Sequence, residues 1–485
     1  MKYDVAIGLE IHVELATRTK LFCGCPSRFG APPNTLVCPI CLGLPGSLPV
    51  LNRRAVELGI LAALALGAEV AAESVFARKN YFYPDLPKGY QISQYERPLA
   101  TGGELSWEGP GGPRTARIRR VHLEEDAGKS LHGEDAARSG SAAGYSLLDF
   151  NRCGVPLIEI VTEPDLTSPE DARAFLETLR QLLAYTDVSD VKLEEGSLRC
   201  DANVSLRPAG AAQPGVPVEI KNVNSFRFVQ RALAYEIERQ AARLAAGHPV
   251  ARETRQYREA TGSTESLRSK EQAHDYRYFP DPDLVPVAVD PEWIESLRRS
   301  LPELPEARRA RYRSQYGLTA QEAALVTASL PLAGFFEATV AGGADPREAA
   351  NWLVGELARL LNAHAADPSA LKIGPGHLVE LLGLLAAGVL SRPLAKEVFE
   401  ESFLSGRRPA DIVQARGLSQ TTDEAELARQ VEAVLAAHTG PAGDYRAGKE
   451  RALGFLVGQV MRATGGRANP GTVNRLLRDR LGREG

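Results

Sequence analysis

From Tyr3 onward the chain alternates. Val5, Ile7, Leu9, Ile11, Val13 and Leu15 are apolar and their neighbours are polar or small, a period of two that predicts a strand. Asn52 to Leu66 repeats apolar residues at helical spacing and ends on Gly67, the residue type favoured just past a helix. Ser168 followed by Pro169, Glu170 and Asp171 reads as a capped helix start running to about Tyr185. Residues 198–206 alternate again. Ser225 opens a long helix that stops at Gly247. Two glycine-rich stretches, 101–113 and 133–144, predict loops, the second a flexible insertion.

After Pro291 the alternation stops. Helical segments of 10 to 20 residues follow, punctuated by Pro or Gly. The expected organisation is a mixed domain over 1–290, a helical domain over 291–405 and a small helical tail domain over 406–485. A length of 485 residues suits about two to four domains.

The composition, 44% hydrophobic and 24% charged, excludes a mainly disordered chain, and a net charge of −4 announces neither nucleic acid nor membrane. The longest apolar run, Gly59 to Ala68, is too short to cross a bilayer, and the alternating, acidic start is unlike a signal peptide. A cytoplasmic protein is expected. Charge is uneven, however. Residues 445–485 hold nine basic and three acidic residues, +6, leaving −10 for the rest. A basic tail on an acidic body suits a polyanion-binding appendage; a solvated helical face is the competing reading.

Four of six cysteines form Cys23-x-Cys25 and, twelve residues on, Cys38-x-x-Cys41. Two short turns of thiolates are the donor set of a structural zinc knuckle, a closed site without catalytic capacity. Cys153 and Cys200 read as core thiols. On the first strand, Glu10, His12 and Glu14 share the face opposite the apolar one, a pattern suited to Mg²⁺ or acid–base work, although for this strand alone an exposed sheet face is the favoured reading. Two further acid-rich segments tilt the balance: His122-Leu123-Glu124-Glu125-Asp126, and Glu194-Glu195 leading to Arg199, Asp201, Asn203 and Ser205 on one strand face. Acids gathered at the ends of apolar segments repel unless a cation neutralises them.

Residues 78–95 combine aromatics, amides and Lys79 and Lys88. Tyr81 and these lysines are candidates to stack a base or ribose and hold phosphate; a packed surface loop is the alternative. Asn151 and Arg152 are candidate ligands, or staples of their own turn. Two similarities fail. Asp126 to Ser130 ends like a phosphate-binding loop, but Leu123 stands where its first glycine belongs. His12-x-Glu14 with Cys38-x-x-Cys41 is similar to the zinc nucleobase deaminase signature, but Val37 replaces the proline and the cysteines already form a complete set.

The runs GLEIHVEL (8–15), RKNYFYPDLPKGYQISQ (78–94), HLEEDAGKS (122–130), LDFNRCGVPLIEIV (148–161), EEGSLRCDANVS (194–205) and DYRYFPDPD (275–283), with GFLVGQVM (454–461) and ANPGTVNRLL (468–477), resemble the B subunits of tRNA-dependent amidotransferases. The resemblance spans nearly the whole chain; Phe150 and Cys153 stand where Tyr and Ala are common, and 133–144 is long. It implies an α+β fold: a cradle-shaped catalytic domain, a helical domain and a tRNA-reaching tail. It implies ATP- and Mg²⁺-dependent phosphorylation of the side-chain carboxylate of Glu-tRNA(Gln) or Asp-tRNA(Asn), then amide formation with ammonia from the A subunit, a glutaminase. A small C subunit, tRNA(Gln) or tRNA(Asn), and a non-discriminating synthetase are the other implied partners. By position, Glu10, His12 and Glu125 match the catalytic metal site; Glu124, Asp201 and Lys79 lie in matching motifs; the four cysteines match the zinc knuckle of some members. A non-catalytic tRNA-binding scaffold and, more remotely, a zinc deaminase remain as alternatives.

Overall fold

The computed structural model describes residues 3–109, 111–131, 145–269, 273–418, 424–465 and 468–482; the predicted insertion at 133–144 lies outside them. The chain divides into two compact units, 1–304 and 305–485.

The first unit is built on β1 (Tyr3–Glu14), β2 (Ala77–Asn80), β3 (Tyr90–Ser93), β4 (Gly112–Glu125), β5 (Pro156–Thr162), β6 (Leu198–Pro208), β7 (Val218–Lys221), β8 (Glu253–Arg258) and β9 (Ser263–Ser269). A ten-stranded sheet runs β9-β8-β7-β6-β1-β5-β4, continues through the short strands Ala100–Thr101 and Glu69–Val70, and carries Glu104–Gly109 beside β4. Neighbours are antiparallel except the parallel pair β7 and β8. β2 and β3 form a separate antiparallel hairpin.

One sheet face is apolar. Ile7, Leu9, Ile11 and Val13 of β1 are buried with residues of α1 (Arg53–Ala65), α2 (Pro169–Tyr185) and α3 (Phe226–Ala245) in one core. Each large aliphatic side chain removed from water there contributes about 1.5–3 kcal/mol. The predicted caps close two of these helices, Ser168 and Ser225 accepting the amides of Asp171 and Phe228, and Asn52 caps the other by accepting the amide of Arg54. The opposite face therefore carries every second residue, and on β1 those are Glu10, His12 and Glu14.

The expected boundary at 290 shifts. Helix α4 (Pro291–Ser300) packs with the first unit: Leu297 belongs to its core, Trp293, Ile294, Leu301 and Leu304 pack against it, and Arg53 of α1 lies 4.7 Å over the Trp293 ring. The composition changes at 291, but the apolar side of this first helix is cut to fit the sheet domain.

The second unit is helical in its described residues and holds two cores, one from Tyr312 to Val413 and one from Leu427 to Leu481. The helix Pro409–Arg416 buries Ile412 and Val413 in the earlier of these, so the expected boundary at 405 also moves past it. No single helix among the described residues is long and apolar enough to cross a membrane.

Candidate functional site

The register of the central strands assembles the site. His122 of β4 faces Glu159 of β5, Glu159 faces His12 of β1, and His12 faces Arg199 of β6. Directly opposite residues on antiparallel strands place their side chains about 4.5–5.5 Å apart on one face, so this row crosses four strands. Glu124 lies on the same face two residues beyond His122. The result is a ring of acids and imidazoles. His12 Nε2 is 3.4 Å from Glu159 and 3.6 Å from Glu124, and His122 Nε2 is 3.5 Å from Glu159. One ligand atom from each of His12, Glu124 and Glu159 lies within 4.8 Å of the others.

The electrostatics follow from burial against charge. Burial would raise Glu159, but the charges and hydrogen bonds of His122 and His12 hold it well below the usual carboxylate range. Burial would lower His12, but Glu159 and Glu124 outweigh it and leave the imidazole raised. Burial likewise opposes the ionised Asp126, yet Arg199 at 2.7 Å and Arg152 at 3.4 Å hold it low. Among the described residues Glu14 has no ion pair of this kind. Burial and the Asp126 charge push it up to about 7 against the pull of Arg199 and Arg152. A nitrogen and two carboxylates converging on one point suit a divalent cation that keeps waters in its remaining positions.

The neighbouring row holds a second group. Glu10 and Asp201 stand directly opposite across β1 and β6. Like charges so placed repel. Asn203 relieves Glu10 by donating to its Oε1 at 3.1 Å, and Lys221 of β7 forms an ion pair with Asp201. The Asp201 and Glu219 charges overcome burial and raise Lys221, keeping it an ammonium.

Not all expected residues converge. The ligand-atom cluster around His12 is completed by Glu124 and Glu159 rather than by Glu10 and Glu125. Glu125 points the other way, because consecutive strand residues alternate. Its Oε1 accepts from the Ile92 amide at 3.0 Å and from Lys88, inside a cavity of about 210 Å³ shared with Cys23, Cys41, Gly43 and Tyr90. Lys88 is thereby engaged by Glu125. Gly43 allows this closeness: a Cβ there would lie 2.2 Å from Lys88 Cγ. Asn151 and Arg152 act as staples. Asn151 accepts the Leu36 amide at 2.8 Å and donates to Pro32 O at 2.7 Å; Arg152 donates to the carbonyls of Ala127 and Gly128 at 3.0 and 2.8 Å.

Lys79 and Tyr81 both stand beside Tyr276. Lys79 Nζ is 4.9 Å from the Tyr276 ring and 5.8 Å from the Tyr81 ring. Tyr81 is raised by burial and by the Glu124 and Asp126 charges, and its hydroxyl donates to Gln91 Oε1 at 3.3 Å. Tyr278 stacks on Tyr95 at 4.3 Å and is raised by burial, then by Glu124 and Glu159. Sequence reasoning missed Glu159, His122, Tyr276, Tyr278 and Lys221 as site residues. The one readable signal was Glu159, a lone acid inside the apolar run Pro156 to Val161.

The four cysteines meet as expected, every Sγ within 4.8 Å of the rest and those of Cys38 and Cys41 3.9 Å apart. Zinc–thiolate bonds of about 2.3 Å imply tetrahedral edges of about 3.8 Å, so the set fits. The thiols compete for one negative charge. The bond from Cys23, the Cys38 amide and the Lys20 ammonium outweigh burial and push Cys41 down to about 4; Cys23 is pushed up by the Cys41 bond and by burial, and Cys25 to about 11 by burial and Cys38. Four thiolates at this spacing would repel one another unless a cation bound them. Cys153 and Cys200 are buried in the core and pushed up by burial, to about 12 in Cys153. The deaminase geometry needs His12 beside Cys38 and Cys41, whereas the two sets cluster separately.

Residues 5–295 match the family model described as the GatB/GatE catalytic domain, and residues 334–481 the one described as the GatB domain. The chain is 55% identical over 481 residues to the aspartyl/glutamyl-tRNA(Asn/Gln) amidotransferase B subunit of Moorella thermoacetica, covering 99% of this chain and 100% of that one. It is 52% identical over 482 residues to the protein of the same name in Caldanaerobacter subterraneus, with the same coverage. With that of Carboxydothermus hydrogenoformans it shares 53% identity over 480 residues, 99% of each chain. The chain belongs to the GatB/GatE family and stands among the B subunits of aspartyl/glutamyl-tRNA(Asn/Gln) amidotransferases.

Proposed function

We propose that this chain activates the side-chain carboxylate of Glu-tRNA(Gln), Asp-tRNA(Asn) or both with ATP, and converts the activated group to an amide with ammonia delivered by a glutaminase, the A subunit. A carboxylate is a poor electrophile, and phosphorylation supplies a leaving group. The observation that carries the reading is the convergence of His12, Glu124 and Glu159 on the polar face of the sheet. These residues would hold Mg²⁺, which when bound neutralises charge on the transferring phosphoryl group. Around them, Arg199 and Arg152 hold Asp126 ionised, and Lys221 forms an ion pair with Asp201. Lys79, beside the Tyr276 ring, supplies a cation at the rim for phosphate, and Tyr81 an aromatic face for a base or ribose. The thiolate set would hold a structural Zn²⁺. The basic tail would contact tRNA phosphate, which positions RNA without reading sequence. A small C subunit and a non-discriminating synthetase complete the assembly, in the cytoplasm.

The test is ATP hydrolysis by the complex with and without each charged tRNA, wild type against Glu124→Gln. Hydrolysis that requires one charged tRNA and vanishes in the variant is the expected result. Hydrolysis indifferent to charged tRNA would favour a tRNA-binding scaffold.

A further inference from the structure

A fourth side chain closes on the same carboxylates. His122 is 2% exposed and projects beside Glu124 from one face of β4. Its Nε2 lies 3.5 Å from Glu159 Oε2 and 4.0 Å from Glu124 Oε2. Its Nδ1 is buried and meets no hydrogen-bond partner among the described residues. A buried N–H without an acceptor is rarer than an under-used acceptor. With Nδ1 unpartnered among the described residues, Nε2 is the ring nitrogen that faces the carboxylate and can donate to it. His12 approaches the same oxygen of Glu159, at 3.4 Å. One carboxylate oxygen is thus gripped by two imidazoles, of which only His12 belongs to the converging ligand set.

We propose that His122 is a positioning residue that fixes Glu159, and through it Glu124, in the geometry that binds a divalent cation. The inference rests on the reading of His12, Glu124 and Glu159 as a cation site. A ligating carboxylate needs an outer donor to hold its orientation, and losing such a donor typically weakens metal binding 10- to 100-fold. His122 is placed for that work: it shares the strand of one ligand, sits opposite the other in register, and is too enclosed to meet substrate.

The experiment is Mn²⁺ titration of the full chain followed by electron paramagnetic resonance, with the thiolate cluster first saturated with zinc. His122→Leu keeps bulk but removes the donor. His122→Asn retains an amide that stops near the Nδ1 position. His122→Gln carries an amide far enough to replace the Nε2 donor. The expected result is a roughly 10- to 100-fold loss of Mn²⁺ affinity in the Leu and Asn variants and recovery in the Gln variant. Wild-type affinity in His122→Asn overturns the proposal, as does an equal loss in all three variants, which signals packing alone. Glu124→Gln separates the two levels: if it binds Mn²⁺ like wild type, the cation-site reading itself fails.

Discussion

Glu124 and Glu125 are adjacent in sequence and face away from each other across β4. Glu124 lies 3.6 Å from His12, while Glu125 accepts the Ile92 amide at 3.0 Å and pairs with Lys88. One residue of register separates a carboxylate in the ligand cluster from one that fastens β4 to β3. The two are therefore separable by mutation. Glu124→Gln is expected to weaken Mn²⁺ binding at least tenfold, as removal of a ligand should. Glu125→Gln is expected to leave Mn²⁺ affinity near wild type and instead to release Lys88, accelerating its modification by an amine-reactive reagent. Equal Mn²⁺ loss in both variants would remove the distinction.

The cysteine set makes a prediction about metal rather than turnover. Cys41 is buried, takes the Cys38 amide at 3.1 Å and lies 3.6 Å from the Lys20 ammonium. Cys41→Ser is expected to lower bound zinc from one equivalent to near zero and to increase proteolytic cleavage within residues 23–49. Zinc content by mass spectrometry, with limited proteolysis, checks both. A full equivalent of zinc in the variant would place the metal elsewhere.

Glu14 gives the first unit a pH dependence of known sign. Its carboxyl titrates near 7 in the folded chain, against about 4.3 unfolded. Between those values the folded state binds more protons than the unfolded state, so stability falls as pH rises through that window and is level above it. Glu14→Gln removes the term. The variant is expected to gain on wild type as pH rises from 5 to 8, by up to about 3 kcal/mol at 1.36 kcal/mol per unit. Paired thermal melts with chelator present measure the gap, and a gap independent of pH would contradict the assignment.

What the sequence disclosed was whatever is local. The period of two in β1 placed Glu10, His12 and Glu14 on one face, and Ser168 and Ser225 announced their helices, because alternation and capping are properties of a few consecutive residues. Glu159 stayed hidden because its meaning comes from strand order: it meets His12 and His122 only once β5 lies between β1 and β4. The parity of Glu124 and Glu125 was visible, but which of them faced the site depended on where β4 registers against β5. Tyr278 arrives from residues more than a hundred positions beyond the ligands and stacks on Tyr95. Helix α4 shows the same limit, since Leu297 reads as one more helical residue until the core it fills is known.

The last core of the helical unit sharpens a prediction about the tail. Its basic side chains are partly spent inside the fold: Arg475 pairs with Glu424, Arg480 with Glu432 and Lys449 with Asp444. The acids on Glu424–Ala437 thus reduce the excess that the count over 445–485 suggests, and Arg451 and Arg462 become better candidates for phosphate. Where the chain is cut also matters. A deletion from 406 removes Ile412 and Val413, both buried in the preceding core, whereas one from 424 removes the final core alone. Deletion of 424–485 is expected to weaken tRNA binding while leaving the thermal melt of the remaining chain intact; deletion from 406 is expected to lower that melt as well. Losing two phosphate-contacting cations through Arg451→Ala and Arg462→Ala should flatten the dependence of log K on log salt by about 0.7 to 0.9 per contact. Filter-binding titrations over a range of salt measure the slope. An unchanged slope in the double variant, alongside weakened binding in the 424–485 deletion, would move the contact to other residues of this core.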